Sequence, residues 1–307
     1  MHLSVVTASR SPQIGDGLTY DDGGKPVAEG DLVRVLLRRK VVEGIVVAKE
    51  AKISQEQFTI KPVEETLGSL LPPAQAVLAR WMADEYVCSL RSILTVMLPP
   101  PPWSKLLLDR VVDVTKVPSR RPQIHDGEAE RATRIMAEPR PTVCWMGLEE
   151  RTALYVALIV EALSRGRQVV VVFPEVMLAK EAARQFAEHF GDAAVTLLHS
   201  RQTPKQRRDA WKAIRSGERR IVVGTRTALF VPCAQLGLLI LDDEQERTYK
   251  SEETPRYLAR PVAERLCVLA SAKLVLGTSV PSVDLYAKTE TEAMHLVSTS
   301  EIGRAHV

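Results

Sequence analysis

Two adjacent carboxylates follow a strongly apolar run, an arrangement that could bind a metal ion. The run LLIL at residues 238–241 leads into Asp242 and Asp243. A buried strand of this kind can direct one carboxylate toward Mg²⁺ beside phosphate groups, and the adjacent acid can orient or activate water. Because apolar strands often end in acidic turns, an ordinary turn is the alternative interpretation.

A second polar segment, GTRTALF at residues 224–230, follows the apolar run IVV at 221–223. Small residues and one cation at a strand end could hold a DNA phosphate through backbone amides, Thr225 and Arg226. The alternative is a tight strand-to-helix turn. A third segment, GTSVPS at 277–282, carries hydroxyls that could relay between a nucleotide and DNA.

Four cations lie near the centre of DLVRVLLRRKVVEGIVVAKE, residues 31–50. The alternating pattern predicts antiparallel β-structure, with a hairpin tip at Arg39 and Lys40. Arg34, Arg38, Arg39 and Lys40 could therefore meet DNA phosphates, and a solvated hairpin is the alternative.

The elements that would position the strand-end residues alternate along residues 141–296. Apolar periodicity predicts strands at 142–146, 168–173, 194–198, 220–223, 236–241 and 273–276. It predicts helices at 152–164, 177–190, 205–216 and 260–270. Apolar strands separated by helices indicate a parallel sheet covered on both faces, which binds ligands at the carboxyl ends of its strands.

Residues 1–104 indicate a different architecture, in which β-structure precedes helices. Residues 1–30 are polar and turn-rich, whereas helical spacing begins at Pro73, breaks near 86–89 and resumes until the prolines at 99–102. The proline-containing stretch 105–140 is predicted to be a largely solvated linker with a short helix at 128–137. We therefore expect an α/β protein with an N-terminal mainly-β plus helical domain and a parallel-sheet lobe.

Composition narrows the class of protein. With 45% hydrophobic residues among 307, the chain can bury one large core or two ordinary ones. A net charge of +3 is mildly basic, so DNA binding would need a local cationic patch. The four cysteines form no C-x-x-C pair, which disfavours a zinc site and fits a reduced cytoplasmic setting. No apolar run approaches the roughly 20 residues of a membrane helix.

The order of these segments resembles the primosomal protein N′ (PriA) family of replication-restart DNA helicases. The segments are FPE, LHS, GTRTALF, DDEQERTYK, RYLAR and GTSVPS, and the family counterparts are VPE, LHS, GTRSALF, DEEHDSSYK, RYHAR and GSATP. The resemblance implies a RecA-like first lobe of a superfamily 2 helicase over residues 141–300, with ATP and Mg²⁺ as cofactors. It assigns Mg²⁺ binding to Asp242 and water activation to Asp243, which is one methylene shorter than the family's glutamate.

The phosphate loop departs from that family. Its pattern TGSGKTEVY corresponds to GLEERTALY at residues 147–155. Glycines let such a loop fold around phosphate with its N–H groups inward, but Leu148 and Glu150 stand in their places and Arg151 replaces the lysine. The candidate nucleotide-binding residues are Gly147, Arg151, Thr152 and Asp242. The substitutions argue against tight ATP binding.

The N-terminal region resembles the family's domain that holds the 3′ end of a nascent strand at a stalled fork. VRVLLRRKVVEGIVV and the helical segment ending in LPPPPW carry this similarity over residues 1–104. The family's pocket lies near an FDY segment, whose counterpart LTY places Tyr20 at the matching position. The resemblance therefore implies that Tyr20 contacts DNA.

Other parts of the family pattern are not found. The connector at 105–140 is too short for a winged-helix domain, and neither a second RecA-like lobe nor the zinc-binding cysteines follow, so zinc is not expected in this fragment. The terminal EIGRAHV, residues 301–307, is what a common sequencing adapter would encode. We expect these seven residues to be an artefact and the gene to continue.

Three functions stay open. The favoured one is a replication-restart protein for primosome assembly that recognises forked DNA and carries a degenerate helicase lobe. The others are an active ATP-dependent 3′–5′ DNA helicase when full length, and a different superfamily 2 repair protein that binds nucleic acid. Expected partners are forked, single-stranded or double-stranded DNA and replication-restart and helicase-loading proteins, in the bacterial cytoplasm without a membrane.

Overall fold

A computed structural model describes residues 1–8, 17–49, 60–107 and 122–298. The chain divides into two compact units. The first consists of residues 1–109, 203–212 and 253–257, and the second of residues 110–202, 213–252 and 258–307. The linker residues 108–121 and the expected adapter residues 301–307 lie outside the described part of the chain.

The first unit contains a five-stranded antiparallel sheet with the order β2-β1-β4-β3-β5. Its strands are β1 His2–Thr7, β2 Leu18–Asp21, β3 Asp31–Leu37, β4 Lys40–Lys49 and β5 Glu65–Ser69. In β3, Val33 and Val35 are buried and Arg34 between them is partly exposed. This alternation places one face of the strand on the core, as the sequence predicted.

Two details of this sheet differ from the sequence prediction. The stretch 1–30, predicted to be turns, contains β1 and β2, and β1 lies between β2 and β4 with Leu3 and Val5 fully buried. The hairpin tip lies at Arg38–Arg39, one residue before the predicted position, because Lys40 already pairs with Leu37 in the ladder. The strands β1 and β2 were not predicted because short strands interrupted by polar residues give too few apolar–polar alternations to be recognised.

Two helices follow the sheet as predicted, α1 Pro73–Glu85 and α2 Leu90–Met97. Proline at the first position of α1 loses no hydrogen bond there. The hydroxyl of Ser89 caps α2 by accepting from the amide of Ser92 at 3.2 Å. The prolines beginning at Pro99 prevent α2 from continuing.

The second unit contains a seven-stranded parallel sheet with the order β12-β6-β11-β10-β7-β9-β8. Its strands are β6 Thr142–Trp145, β7 Gln168–Val172, β8 Val195–Leu198, β9 Ile221–Gly224, β10 Leu236–Leu241, β11 Lys273–Thr278 and β12 His295–Ser298. Every residue of β7 and β10 is buried. Central strands of a sheet covered on both faces have this pattern.

The remaining helices are α3 Asp126–Ala137, α4 Leu148–Ser164, α5 Val176–Phe190, α6 Pro204–Arg215, α7 Ala259–Ala270 and α8 Val283–Glu290. The helix α3 packs on α4, and its Ala132 and Ile135 lie in the same core cluster as Leu158. The connector beyond residue 121 is therefore packed into the second unit. No helix in the described ranges is both long and apolar enough to cross a bilayer.

Candidate functional site

The two predicted carboxylates lie at the carboxyl end of β10, near the middle of the parallel sheet. Asp242 is 1% exposed, and burial raises its pKa although the nearby Arg151 guanidinium opposes that effect. Asp243 has a φ of 46°, so its backbone lies in the left-handed region. These carboxylates are the groups at the sheet edge that could hold a divalent cation.

The guanidinium of Arg151 lies directly against both carboxylates. Its Nε is 3.0 Å from Asp242 Oδ1, and its Nη2 is 2.9 Å from Asp243 Oδ1. Its Nη1 donates to the carbonyl of Met146 at 3.0 Å and to Ser279 Oγ at 2.7 Å. The residue is only 1% exposed, so these four partners replace water around the cation.

Two tyrosines complete the surroundings of Asp242. Tyr155 donates its hydroxyl to Asp242 Oδ1 at 2.7 Å, and Tyr249 donates to the Asp242 carbonyl at 2.6 Å. Burial raises the pKa of both phenols well above the ordinary value, so both remain donors. A Cβ at Gly277 would overlap the Tyr155 hydroxyl, which explains the glycine at this position.

The segment predicted to be the phosphate loop is helical. Only Met146 and Gly147 separate β6 from α4, and α4 begins at Leu148, four residues earlier than predicted. The residues Leu148 to Arg151 are good helix formers. The acidic side chains in the first turn also stabilise the helix, because they interact favourably with the positive end of its dipole. The Gly147 amide donates to Glu150 Oε2 at 3.2 Å. This carboxylate therefore accepts from one of the backbone N–H groups that the start of a helix leaves without an intrahelical partner.

Thr152 lies away from the carboxylates. Its hydroxyl donates to the Leu148 carbonyl of its own helix at 2.8 Å, and the residue lines a surface cavity together with Leu148 and Val156. The structure thus brings Arg151, Asp242 and Asp243 together, whereas the hydrogen bonds that the Gly147 amide and the Thr152 hydroxyl form within the described ranges are to groups of α4. No group of three or more His, Cys, Asp or Glu residues able to hold a metal ion occurs within the described ranges.

The next two residues of the acidic segment are tied to the segment GTSVPS. Glu244 accepts a hydrogen bond from the Ser282 amide at 2.9 Å and lies 3.9 Å from Arg260 of α7. Gln245 accepts from Thr278 Oγ1 at 2.8 Å. All four side chains at residues 242–245 therefore have partners inside the second unit.

The predicted phosphate contact at GTRTALF is also internally engaged. Arg226 begins a 3₁₀ turn, Arg226–Phe230, and its Nη1 donates to the Thr248 carbonyl at 2.9 Å. The Thr225 amide donates to the Leu198 carbonyl at 3.2 Å. These bonds fit the tight-turn interpretation, and a DNA phosphate at this position stays a prediction.

Two of the predicted DNA contacts in the first unit are engaged by the protein. Tyr20 is 4% exposed within the core of the sheet, and its hydroxyl donates to the Leu36 carbonyl at 3.3 Å. Arg34 forms an ion pair with Glu65 on the neighbouring strand. In this conformation Tyr20 does not present its ring for stacking.

The other three cations are exposed together at the β3–β4 tip: Arg38, Arg39 and Lys40. None of them forms an ion pair with a carboxylate among the described residues. This tip is the part of the predicted DNA surface that remains open to a partner.

Sequence reasoning missed Tyr155 and Tyr249 as parts of the site, and it assigned the hydroxyls of GTSVPS, including Ser279, to a relay between nucleotide and DNA and not to Arg151. Tyr155 follows Arg151 by four residues on α4, and this spacing places both side chains on one helix face. That spacing could have indicated a shared partner. Nothing in the sequence signals that Ser279 accepts from Arg151.

Two family profiles match separate parts of the chain. Residues 16–99 match the 3′DNA-binding domain (3′BD) of PriA, and residues 151–275 match the DEAD/DEAH box helicase family. The second is a nucleotide-binding helicase family, and the parallel sheet is accordingly a RecA-like helicase lobe. The fold class expected from the sequence is confirmed.

Curated relatives match across both parts. Replication restart protein PriA of Rickettsia prowazekii is 30% identical over 273 residues, covering 88% of this chain and 41% of the relative. The Helicobacter pylori J99 protein of the same name is 26% identical over 95% of this chain and 45% of its own length. That of Bacillus subtilis is 35% identical over 148 residues, 48% of this chain and 18% of the relative. This chain spans less than half the length of these relatives. The matches across both parts show that it belongs to the PriA family of replication restart proteins.

Proposed function

We propose that this chain is the DNA-binding part of a replication-restart protein whose helicase lobe serves as a scaffold and not as an ATP-driven motor. Residues 1–104 would bind forked DNA, and residues 141–300 would form the lobe. The observation that carries the scaffold proposal is the buried Arg151 guanidinium against Asp242 and Asp243.

The residues at the sheet edge do not fit a bound magnesium–nucleotide. A Mg²⁺ ion needs carboxylate oxygens facing it, but the Arg151 guanidinium already lies at about hydrogen-bond distance from one oxygen of each aspartate. Displacing it would separate a buried cation from four partners, a change that is strongly unfavourable.

The start of α4 supports the same proposal. A phosphate cradle needs several backbone N–H groups pointing inward from a glycine-rich loop. Here the strand meets the helix after two residues, and Glu150 occupies the Gly147 amide. Glu149 and Glu150 add two negative charges at the position where a polyphosphate would approach.

An ATP-dependent 3′–5′ helicase is the second candidate. The match of residues 151–275 to the helicase family and the pair of carboxylates at the end of β10 favour it. In that case Arg151 would leave the carboxylates when nucleotide arrives. The two candidates differ in whether the chain binds Mg·ATP at all.

Forked DNA and replication-restart or helicase-loading proteins are the proposed partners. The match of residues 16–99 to a 3′DNA-binding domain and the exposed cations at the β3–β4 tip support the DNA partner. The protein partners rest on the names of the relatives.

The test combines nucleotide and fork binding. The 307-residue chain is titrated with a fluorescent ATP analogue plus Mg²⁺, beside a Leu148→Gly/Glu150→Gly/Arg151→Lys variant that restores the two glycines and the lysine of the family's loop. We expect no saturable binding to the natural chain up to millimolar nucleotide, and the same fork affinity with and without ATP. Micromolar binding or an ATP-dependent fork affinity would overturn the scaffold proposal, and absence of fork binding would overturn the DNA-binding proposal.

A further inference from the structure

The β3–β4 hairpin closes with a turn whose geometry disfavours the residues that occupy it. Leu37 pairs with Lys40, so only Arg38 and Arg39 lie between the strands. Their φ angles are 46° and 66°, both in the left-handed region. Two-residue turns with positive φ at both positions favour Asn-Gly. The left-handed backbone brings Cβ close to the following carbonyl oxygen; glycine has no Cβ, and the short polar side chain of asparagine can hydrogen-bond locally.

Neither local geometry nor packing accounts for these arginines. Arg38 and Arg39 are exposed, so the hydrophobic core of the sheet uses neither side chain. Arg34, by contrast, has Glu65 beside it, whereas no ion pair to Arg38, Arg39 or Lys40 forms among the described residues. Strained backbone positions of this kind cluster at functional sites, so these two arginines point to a functional role.

We infer that this cationic tip, Arg38, Arg39 and Lys40, contacts the phosphates of double-helical DNA. The inference rests on the proposed DNA-binding function and adds the kind of DNA that the tip recognises. Three adjacent positive charges with no ion-pair partner in the described part of the chain match a polyanion and carry no specific base contact.

Duplex fits better than a single strand because the described part of the tip offers no surface for base stacking. Single-strand binding relies on exposed aromatic rings, but Tyr20 is buried and the exposed apolar residue beside the tip is Val41, which is 57% exposed. The duplex also has the higher phosphate density, so a purely electrostatic contact gains more there.

The test uses an Arg38→Asn/Arg39→Gly variant, which suits the turn and removes two charges. Dissociation constants for a blunt duplex and a single strand of equal length are measured between 50 and 200 mM salt. For the duplex, the slope of log affinity against log salt concentration should be smaller in magnitude by roughly 1.8 in the variant. The natural chain should therefore lose about tenfold more affinity than the variant between the two salt concentrations. An Arg38→Lys/Arg39→Lys variant should retain the slope, and Lys49→Gln/Lys105→Gln, which removes two charges elsewhere in the first unit, should change it less.

Each result decides the inference. An unchanged duplex slope in the Asn-Gly variant would overturn it, as would a loss confined to single-stranded DNA. An equal loss from Lys49→Gln/Lys105→Gln would also overturn it, since net charge and not the tip would then be responsible. If the natural chain binds no DNA, the proposed function fails as well. Fork binding that persists with an unchanged slope would overturn the tip contact alone.

Discussion

Replacing Arg151 by methionine should destabilise the second unit strongly. The substitution keeps most of the side-chain volume but removes the cation between Asp242 and Asp243. Among the described residues, the buried Asp242 carboxylate then keeps one hydrogen-bonding side chain, Tyr155. Removing one member of a buried ion pair costs about 3–5 kcal/mol, and we expect a loss of this size in the free energy of unfolding at pH 7.

The thiol of Cys144 provides an assay confined to this unit. Cys144 lies in β6 and is 0% exposed, so it reacts with a thiol reagent only when the unit opens. Pulsed labelling at increasing urea, with mass spectrometry to identify the modified cysteine, gives the free energy of opening. A loss near 3–5 kcal/mol in Arg151→Met is the expected result.

An exposed ion pair is the matched control. Arg184 contacts Glu181 and Glu188 on the surface of α5, with 58% of its side chain exposed. Arg184→Met should cost less than about 1 kcal/mol because solvent screens such pairs. If Arg151→Met costs no more than Arg184→Met, the ion pairs of Arg151 with Asp242 and Asp243 do not stabilise the fold and the reasoning fails.

The dependence on pH gives a second check on the same variant. The pKa of Asp242 is raised by burial, and losing Arg151 removes the main influence that lowers it. A buried carboxylate with a raised pKa destabilises the folded state when ionised, and this cost disappears as pH falls through its folded pKa. The difference in the free energy of unfolding between Arg151→Met and the natural chain should therefore become smaller at acidic pH. Arg151→Met/Asp242→Asn should recover most of the loss at pH 7.

Three further predictions concern other parts of the chain. Arg38→Asn/Arg39→Gly should stabilise the first unit by roughly 2 kcal/mol by relieving two left-handed side chains, measured by urea unfolding. Burial lowers the pKa of Lys273 to about 8. The free energy of unfolding of the natural chain should therefore rise as pH rises from about 8 toward the ordinary lysine pKa of 10.5. Lys273→Met should lack this gain when urea unfolding of both proteins is measured across that pH range. Thr152→Ala should change thermal stability little, because the lost hydroxyl bonds only within α4.

Contrary results are equally specific. A less stable Asn-Gly variant would show that the two arginines stabilise the turn. Parallel pH profiles for the natural chain and Lys273→Met would show that Lys273 is not a buried cation in the folded state. A large effect of Thr152→Ala would mean that its hydroxyl has a partner beyond its own helix.

The strand ends of the second unit could be predicted because continuous apolar runs with polar ends have few other interpretations. Asp242, Asp243 and Arg226 accordingly lie at the expected edge of the sheet. The engagement of Arg151 could not be predicted, since a cation in a loop motif indicates a phosphate partner as readily as an internal carboxylate. Only the register of β6, β10 and β11 decides which partner lies within reach.

The first unit was harder to predict for a different reason. Tyr20 matches a family position by type, but whether its ring faces the core or the solvent depends on the pairing of β2 with β1. A shift of one residue would reverse the face on which it lies. Local pattern alone therefore could not separate a binding side chain from a core side chain.

The contacts of Arg151 join parts of the chain that are far apart in sequence. Its partners Asp243 and Ser279 are 92 and 128 residues away, so apart from the nearby Met146 carbonyl these contacts of the guanidinium can form only once β6, β10 and β11 are in register. We expect contacts between such distant residues to form late in folding, in which case their loss mainly accelerates unfolding. On that expectation Arg151 governs how long the folded lobe persists more than how fast it forms.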